Sequence, residues 1–319
     1  MTNLRDPLVT IAIPTYNRSE SFLPATLRSV CEQTYPNIDI LVSDNASHDA
    51  TGQVVSSFAD KRIRYHRHAQ NIGGPRNWNF CVDQGRGEYF MLLMDDDMID
   101  ADFVAACVAR AQQTPGAGVI RTGTRIVDHH GKVMRESVNR AGGLDFPEFL
   151  VAWTDGRTSL YLCSTLFRTA PLQKLGVHSK HYLWCDVISE MQIIAEHGRE
   201  DIADIKASFR IHPGEVTSNV GIEKWCEDTL ELMDTLARLT TERPEVLESR
   251  VRPFLALLNY DHALRLDKKS WVARFAACRT VKERLGVDLE VRKLGLELMR
   301  RTRIANAYRT LKRSIRPAS

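Results

Sequence analysis

The chain has 319 residues, 43% hydrophobic and 26% charged, which is ordinary for a soluble globular protein and long enough for two domains or for one large α/β domain with an appendage. No apolar run reaches the length of a membrane span, and the N-terminal MTNLRDPLVT has neither a basic start nor an apolar core, so neither a spanning helix nor an export signal is expected. The net charge of +3 conceals an asymmetry: from Val291 to Ser319 nine Lys and Arg face Glu297 alone, a surplus of eight, whereas the preceding chain holds 34 basic and 39 acidic residues.

Leu8 to Ile13 (LVTIAI) is an apolar, β-rich run, and Pro14 is expected to stop it in a turn because proline cannot donate to a ladder. Phe22, Leu23, Leu27 and Val30 then recur at helical spacing up to Cys31. The plan repeats. IDILV (Ile38 to Val42) reads as a strand, SDNASHDAT as a loop in which Asp49 is placed as an N-cap, and Gly52 to Phe58 as a helix. A third strand, Ile63 to His66, precedes the glycine-containing NIGGPRN and a helix from Trp78 to Asp83. Strands alternating with helices imply a largely parallel sheet with right-handed crossovers.

The fourth unit carries the most chemistry. Tyr89 to Met94 is a buried-strand run, and Asp95, Asp96 and Asp97 follow it directly. In open α/β sheets ligands bind at the C-terminal ends of the strands, so these acids, with Asp44 leaving the second strand, are expected on one crevice. Adjacent carboxylates repel one another and lose hydration near a core, which calls for a positive partner. Hard oxygen donors suit Mg2+ or Mn2+, with coordination positions left for substrate phosphates. The alternative is that the acids end a strand and cap the helix that follows from Asp102 to Gln113.

Beyond that helix, Val119 to Val127 reads as a strand and Asp128, His129, His130 and Gly131 as a solvated hairpin turn rather than a metal site. Leu160 to Phe167 reads as a further strand, and a helix opens at Tyr182 to Asp186, where the dipole favours the Asp186 charge. Ile202 to Ile211 contains a strand closed by His212 and Pro213. From Gly221 the pattern turns helical: Trp225 to Leu239, Pro253 to Leu266 and Trp271 to Leu285, then the basic tail. The seven scattered cysteines, odd in number and without a CxxC pair, suit core positions in a reducing cytosol and give a zinc site no support.

Taken in order, IPTYNR (Ile13 to Arg18), SDNASHDAT (Ser43 to Thr51), NIGGPRN (Asn71 to Asn77), GEYFMLLMDDD (Gly87 to Asp97), STLFR (Ser164 to Arg168) and FRIHPGEVTS (Phe209 to Ser218) resemble the family 2 glycosyltransferases over about residues 8 to 215. The resemblance implies an α/β, glycosyltransferase A-type catalytic domain over 1–220, with a central mixed, mostly parallel sheet. A helical C-terminal region over 221–319 carries the basic amphipathic tail. It also implies transfer of a hexosyl or deoxyhexosyl group from a nucleotide-diphosphate sugar, a UDP- or dTDP-sugar, to an acceptor hydroxyl, with inversion, in bacterial surface-polysaccharide or glycoconjugate synthesis.

By the same resemblance Pro14, Thr15, Tyr16, Arg18, Asp44, Asn45, Arg76 and Asp95 hold the donor, with Thr15 and Tyr16 at the base and Asp44 accepting from a base N–H. Asp96, Asp97 and His212 hold Mn2+ or Mg2+, and Asp186 is the general base. The sequence departs from the commoner wording of the acidic motif at Met94, and carries Cys185 where many relatives have an acid.

Two other readings compete: a haloacid dehalogenase-like phosphatase, suggested by MDDDMI, and an inactive nucleotide-sugar-binding or scaffold protein. The tail places Ile304, Tyr308, Leu311 and Ile315 on one stripe of a basic helix, the pattern of a segment lying on an anionic membrane. The expected setting is cytoplasmic, peripheral at the inner face of the membrane, with a glycan or lipid-linked glycan acceptor and without nucleic acid as a partner.

Overall fold

A computed structural model describes residues 6–177, 183–212, 220–265 and 271–288. The predicted tail helix and the end of FRIHPGEVTS lie outside them.

Four strands build the first half: β1 (Val9–Thr15), β2 (Ile38–Asp44), β3 (Ile63–Arg67) and β4 (Tyr89–Leu92). The crossovers are α1 (Leu23–Cys31), α2 (Thr51–Ser57) and α3 (Gly74–Asp83). All pair in parallel, β2 with β3 and β1 with both β2 and β4, as expected of strand–helix repeats. The second half is mixed. β5 (Met98–Ile99) leads to α4 (Phe103–Gln113), then come β6 (Val119–Val127), β7 (Val133–Ser137), α5 (Phe146–Thr154), β8 (Thr165–Arg168), α6 (Thr169–Leu175), α7 (Cys185–His197) and β9 (Arg199–Arg210). β8 is antiparallel to both β4 and β6, β9 is parallel to β6 and antiparallel to β5, and β7 is antiparallel to β6. Among the described residues the sheet order is β3-β2-β1-β4-β8-β6-β9-β5, with β7 added on β6.

The strand period of two decides the core. Val9, Ile11 and Ile13 bury one face of β1 in a cluster with Leu23, Leu27 and Val30 of α1 and Phe103, Val104 and Cys107 of α4. On the opposite face Thr10 donates to Asp39 Oδ2 (3.0 Å) and accepts from the amides of Arg86 and Gly87. Gly87 is needed there, because a Cβ would stand 2.5 Å from the Leu8 carbonyl oxygen. Five of the cysteines, including Cys81, Cys107 and Cys163, are buried in the core and form no disulfide.

Three predicted elements change. β1 does not stop at Pro14 but runs on to Thr15, pairing Pro14 with Ser43. The Thr15 carbonyl accepts from Asn45 N (2.9 Å), so by strand alternation Pro14 faces β4, whose pairing has already ended at Ala12 and Leu92. The Leu93 amide still donates to the Ala12 carbonyl (2.9 Å), and the ladder to β4 ends where Pro14 has no N–H to continue it. The run from Leu160 is not a strand until Thr165; Leu162–Ser164 is a 3-10 turn closed by hydrogen bonds from Ser164 and Thr165 to the Tyr161 carbonyl. α3 starts inside the glycine loop, at Gly74, with Gly73 at φ 84 and Pro75 in the first turn.

The chain divides into two compact units, Met1–Val220 with Glu227–Val251, and Gly221–Cys226 with Arg252–Ser319. α8 (Ile222–Leu239) spans the division, and in the first unit α9 (Pro244–Val246) runs on into a π-turn at Leu247–Val251. In the second unit α10 (Arg252–Arg265) packs with α11 (Trp271–Leu285), burying Leu255, Ala263, Val281 and Leu285. Trp225 stacks on His262 with ring centroids 4.1 Å apart. No helix among the described residues is long and apolar enough to cross a membrane.

Candidate active site

The C-terminal ends of β1, β2 and β4 open on one edge, and the first two loops are sewn to each other. Asn17, in the left-handed region at φ 53, donates its amide to Ser47 Oγ (2.8 Å) and accepts from His48 N (2.8 Å). Arg18 N donates to Thr51 Oγ1 (3.2 Å), and Ser19 gives both its amide and its hydroxyl to Asp49 Oδ2. Asp49 also accepts from the Thr51 amide and hydroxyl. Burial would raise the Asp49 carboxyl, but the Thr51 and Ser19 donors outweigh it and hold the group down at about 2. Asp49 is thus a staple between loops more than the N-cap of α2, a position that Ala50 occupies.

Asp44 and Asn45 belong to the same scaffold. Asp44 is 1% exposed and accepts from Ser47 N (2.8 Å) and from the Tyr65 hydroxyl (2.5 Å), with Arg67 Nε at 3.8 Å. The expected direct bond to a base N–H finds Tyr65 on that carboxylate, so as placed Asp44 shapes the loop. Asn45 joins the NIGGPRN loop to β2, donating to Asn71 Oδ1 (3.0 Å) and accepting from Ile72 N (2.8 Å). Arg76 is exposed in the first turn of α3 and is not part of this contact set.

The three acids diverge. Asp95 turns to the first loop: Arg18 Nε lies 3.5 Å from it, and the Thr15 hydroxyl and the Tyr16 amide face it. Burial, then the neighbouring Asp96, raise its carboxyl to about 7 against those three donors. Tyr16 itself is 40% exposed at the mouth. Asp96 turns to the end of β9, where His212 Nε2 is 2.9 Å from its Oδ2.

Asp97 turns inward. It is buried, accepts from Arg210 N (2.9 Å) and from the Cys163 thiol, and burial and Asp96 push it well above the usual carboxylate range. Asp97, one of the expected ion ligands, thus accepts from Arg210 and Cys163 as placed and ties the acidic loop to β9 and the turn before β8.

A hard carboxylate oxygen and an imidazole nitrogen, brought together from strand ends more than a hundred residues apart, fit a Mg2+ or Mn2+ ion. Among the described residues no three ligand-type side chains converge.

Asp186 stands on another element. It lies in the first turn of α7, where burial raises its carboxyl against its own and the Val187 amides. Trp184, which precedes the helix at φ 62, donates its indole N–H to Thr229 Oγ1 (3.2 Å), and Leu183 N donates to Asp228 Oδ2 (3.2 Å). Two residues of α8 thereby hold the start of α7, a role the sequence reading did not assign to them.

One turn below Asp186, Glu190 pairs with Arg121 of β6 at 2.7 Å. Arg121 also lies 4.0 Å from Asp201, which pairs with Arg199 at 2.9 Å, and all four side chains are no more than 6% exposed. Asn139 donates to Asp201 Oδ1 (2.8 Å), and both guanidinium groups sit over the Phe149 ring, at 5.2 and 4.0 Å. Sequence reasoning missed this quartet. It also missed α5, which carries Phe149, although the DFPE stretch was a legible signal: Asp145 and Glu148 form a reciprocal capping box.

Comparisons with known proteins agree with the geometry. The model of the family described as "Glycosyl transferase family 2" matches residues 10–176. An uncharacterized glycosyltransferase of Rickettsia typhi is 34% identical over 96 residues, 30% of this chain and 29% of that protein. The Campylobacter jejuni GalNAc(5)-diNAcBac-PP-undecaprenol beta-1,3-glucosyltransferase is 24% identical over 192 residues, 58% of this chain and 60% of that one. The chain thus spans between 29% and 60% of these relatives' own length.

Among solved structures, S. aureus TarS 1-349 in complex with UDP-GlcNAc superposes with a TM-score of 0.64 at 18% identity, covering 87% of this chain and 82% of that one. The Pyrobaculum calidifontis mannosyltransferase PcManGT in complex with GDP-Man and Mn2+ gives 0.57 at 18% identity, covering 97% and 84%. At such identities the likeness is one of fold, the glycosyltransferase A-type, and it is not that of a dehalogenase-like phosphatase. Because the family model runs from the start of β1 through the acidic loop to the end of α6, the chain belongs to glycosyl transferase family 2.

Proposed function

We propose that the chain transfers a hexosyl or deoxyhexosyl group, with inversion, from a UDP- or dTDP-sugar to a hydroxyl of a glycan or lipid-linked glycan, in the synthesis of a bacterial surface polysaccharide or glycoconjugate. The observation that carries this reading is the divergence of the acidic loop, with Asp95 committed to the Thr15–Arg18 loop and Asp96 to His212. One loop thereby addresses the nucleoside and the diphosphate at once. Tyr16, exposed at the mouth, offers a face to the base, Arg18 and Arg76 offer charge to the phosphates, and Asp44 and Asn45 hold the loops in register. Asp96 and His212 would hold Mn2+ or Mg2+, which supplies positive charge to the departing diphosphate.

Asp186 takes the acceptor proton. As the acceptor oxygen forms its bond to the anomeric carbon, the bond from that carbon to the diphosphate breaks, the electron pair leaves with the nucleoside diphosphate, and the proton passes to the Asp186 carboxylate. A carboxyl raised by burial is a stronger base than a solvated one, which suits the task.

A nucleotide-sugar screen by thermal shift with and without Mn2+, followed by transfer assays on lipid-linked acceptors, tests the whole. Asp186→Asn is expected to lose about 10²- to 10⁴-fold in transfer while keeping the donor-induced shift. Near-normal transfer removes the base role; tight donor binding by the unaltered chain without turnover on any acceptor favours the inactive-binder reading.

The partner surface belongs to the second unit, where α11 exposes Val272 (80%) and Phe275 (59%) in a segment with four basic residues and one acid. With the basic sequence beyond it, this suits peripheral contact with anionic lipid. Truncation after Glu290 is expected to weaken sedimentation with anionic vesicles, and unchanged sedimentation overturns that contact.

A further inference from the structure

The start of α1 and the end of β9 meet over the acidic loop in a contact that donor and base chemistry do not require. Phe22 precedes α1, four residues after Arg18. Its ring centroid lies 4.8 Å from that of His212, tilted by 45°, and the Arg210 guanidinium carbon stands 4.6 Å from the same ring. Arg210 is buried, and its polar groups are all engaged on the acidic loop and its surroundings. Its amide donates to Asp97 Oδ1 (2.9 Å), its Nε to the Asp96 carbonyl (2.8 Å), its Nη1 to the Asp128 carbonyl (3.1 Å), and its Nη2 reaches Met98 Sδ (3.4 Å).

These contacts fix both members of the Asp96–His212 pair from behind. An imidazole at a strand end has two torsions to lose on ligation, and a ring packed against it in advance removes that loss. Arg210 pins the backbone on both sides, at the Asp96 carbonyl and, through its own chain, two residues before His212. Groups behind a ligand commonly change metal affinity by about 10- to 100-fold. Phe22 also continues the loop that carries Thr15, Tyr16 and Arg18, so the order of that loop and the orientation of His212 are mechanically joined.

We propose that Phe22 and Arg210 are positioning residues that hold Asp96 and His212 as a preformed seat for a divalent cation. The proposal rests on the cation reading given above and adds the residues that set the seat's affinity. The probe is Mn2+ alone, titrated into the full chain without nucleotide, with the unbound ion read by electron paramagnetic resonance.

Phe22→Leu, which keeps an apolar side chain, is expected to raise the Mn2+ dissociation constant about 10-fold. Phe22→Tyr, which keeps the ring, restores binding close to the unaltered protein. Arg210→Lys keeps the charge but loses the planar fork, and is expected to weaken Mn2+ in the same sense. Melting curves accompany each variant, and if Arg210→Lys does not fold the two Phe22 variants decide. Mn2+ binding by Phe22→Leu equal to the unaltered protein, while His212→Ala weakens it, overturns the positioning role and leaves the cation reading intact. Mn2+ bound equally by the unaltered protein and His212→Ala, or by neither, overturns the seat itself and the proposal with it.

Discussion

The loops proposed to hold the donor and the helix start proposed to face the acceptor are held together by different physics. Around Thr15 to Thr51 the loops are tied by short hydrogen bonds between side chains and backbone, near the surface, with Asp49 alone accepting from two residues on two loops. Behind Asp186 the framework is a buried quartet of two arginines and two acids. Hydrogen bonds of the first kind exchange with water at little net cost, and suit loops that must adapt to a nucleotide. Buried charges of the second kind are stable only as a complete set, because each unpaired member retains its desolvation cost. The contrast says that donor-side variants should change binding, while acceptor-side variants should change the fold first.

The largest effect is therefore expected at Arg121. Arg121→Met leaves Glu190 facing buried surroundings and should cost about 3–5 kcal/mol in a urea unfolding experiment. Adding Glu190→Leu should recover part of that loss, because the second substitution removes the buried carboxyl left without its partner. A double variant no more stable than Arg121→Met would mean that packing, rather than charge balance, holds this side together.

A second test uses pH and sharpens the comparison from both sides. Burial raises Asp95, on the donor side, and Glu190, on the acceptor side, to about 7 from ordinary values of 3.8 and 4.5. Between those limits the folded chain binds more protons than the unfolded chain, so stability is highest at the acid end of the window and falls as pH rises toward 7 and just beyond. Asp95→Asn should flatten part of that slope and Glu190→Gln another part. A melting temperature that does not fall between about pH 5 and 8 would contradict both carboxyl assignments.

The smallest effect belongs to the loops. Asp49→Ala removes the staple between the β1 and β2 loops and should cost about 1 kcal/mol. The donor KM should rise severalfold with kcat little changed, the mark of a lost ground-state contact. A fall in kcat without a change in KM would show that these loops act on the chemistry and not on donor binding alone.

Local patterns explain why the donor side was readable along the chain. Apolar runs of strand length ended at Ile13, Val42 and Met94, shortly before Thr15, Asp44 and Asp95, and parallel pairing of such units puts their ends on one edge. The quartet had no comparable signal. Arg121 sits inside an apolar strand and Glu190 inside an amphipathic helix, positions at which an isolated charge reads as solvent-facing. Likewise Asp95, Asp96 and Asp97 are chemically identical along the chain, and nothing in their order says that the third turns inward to Arg210 and Cys163.

Sequence alone determined the repeat of strand and helix, the family motifs and the edge at which they gather, because these depend on hydrophobic period and on residue types within a few positions of one another. Tertiary structure alone decided the partner of each carboxyl: Arg18 for Asp95, His212 for Asp96, Arg210 for Asp97 and Arg121 for Glu190. Those pairs join residues from about 70 to more than 110 positions apart, and which charges meet is fixed only when the sheet closes and water leaves the space between them.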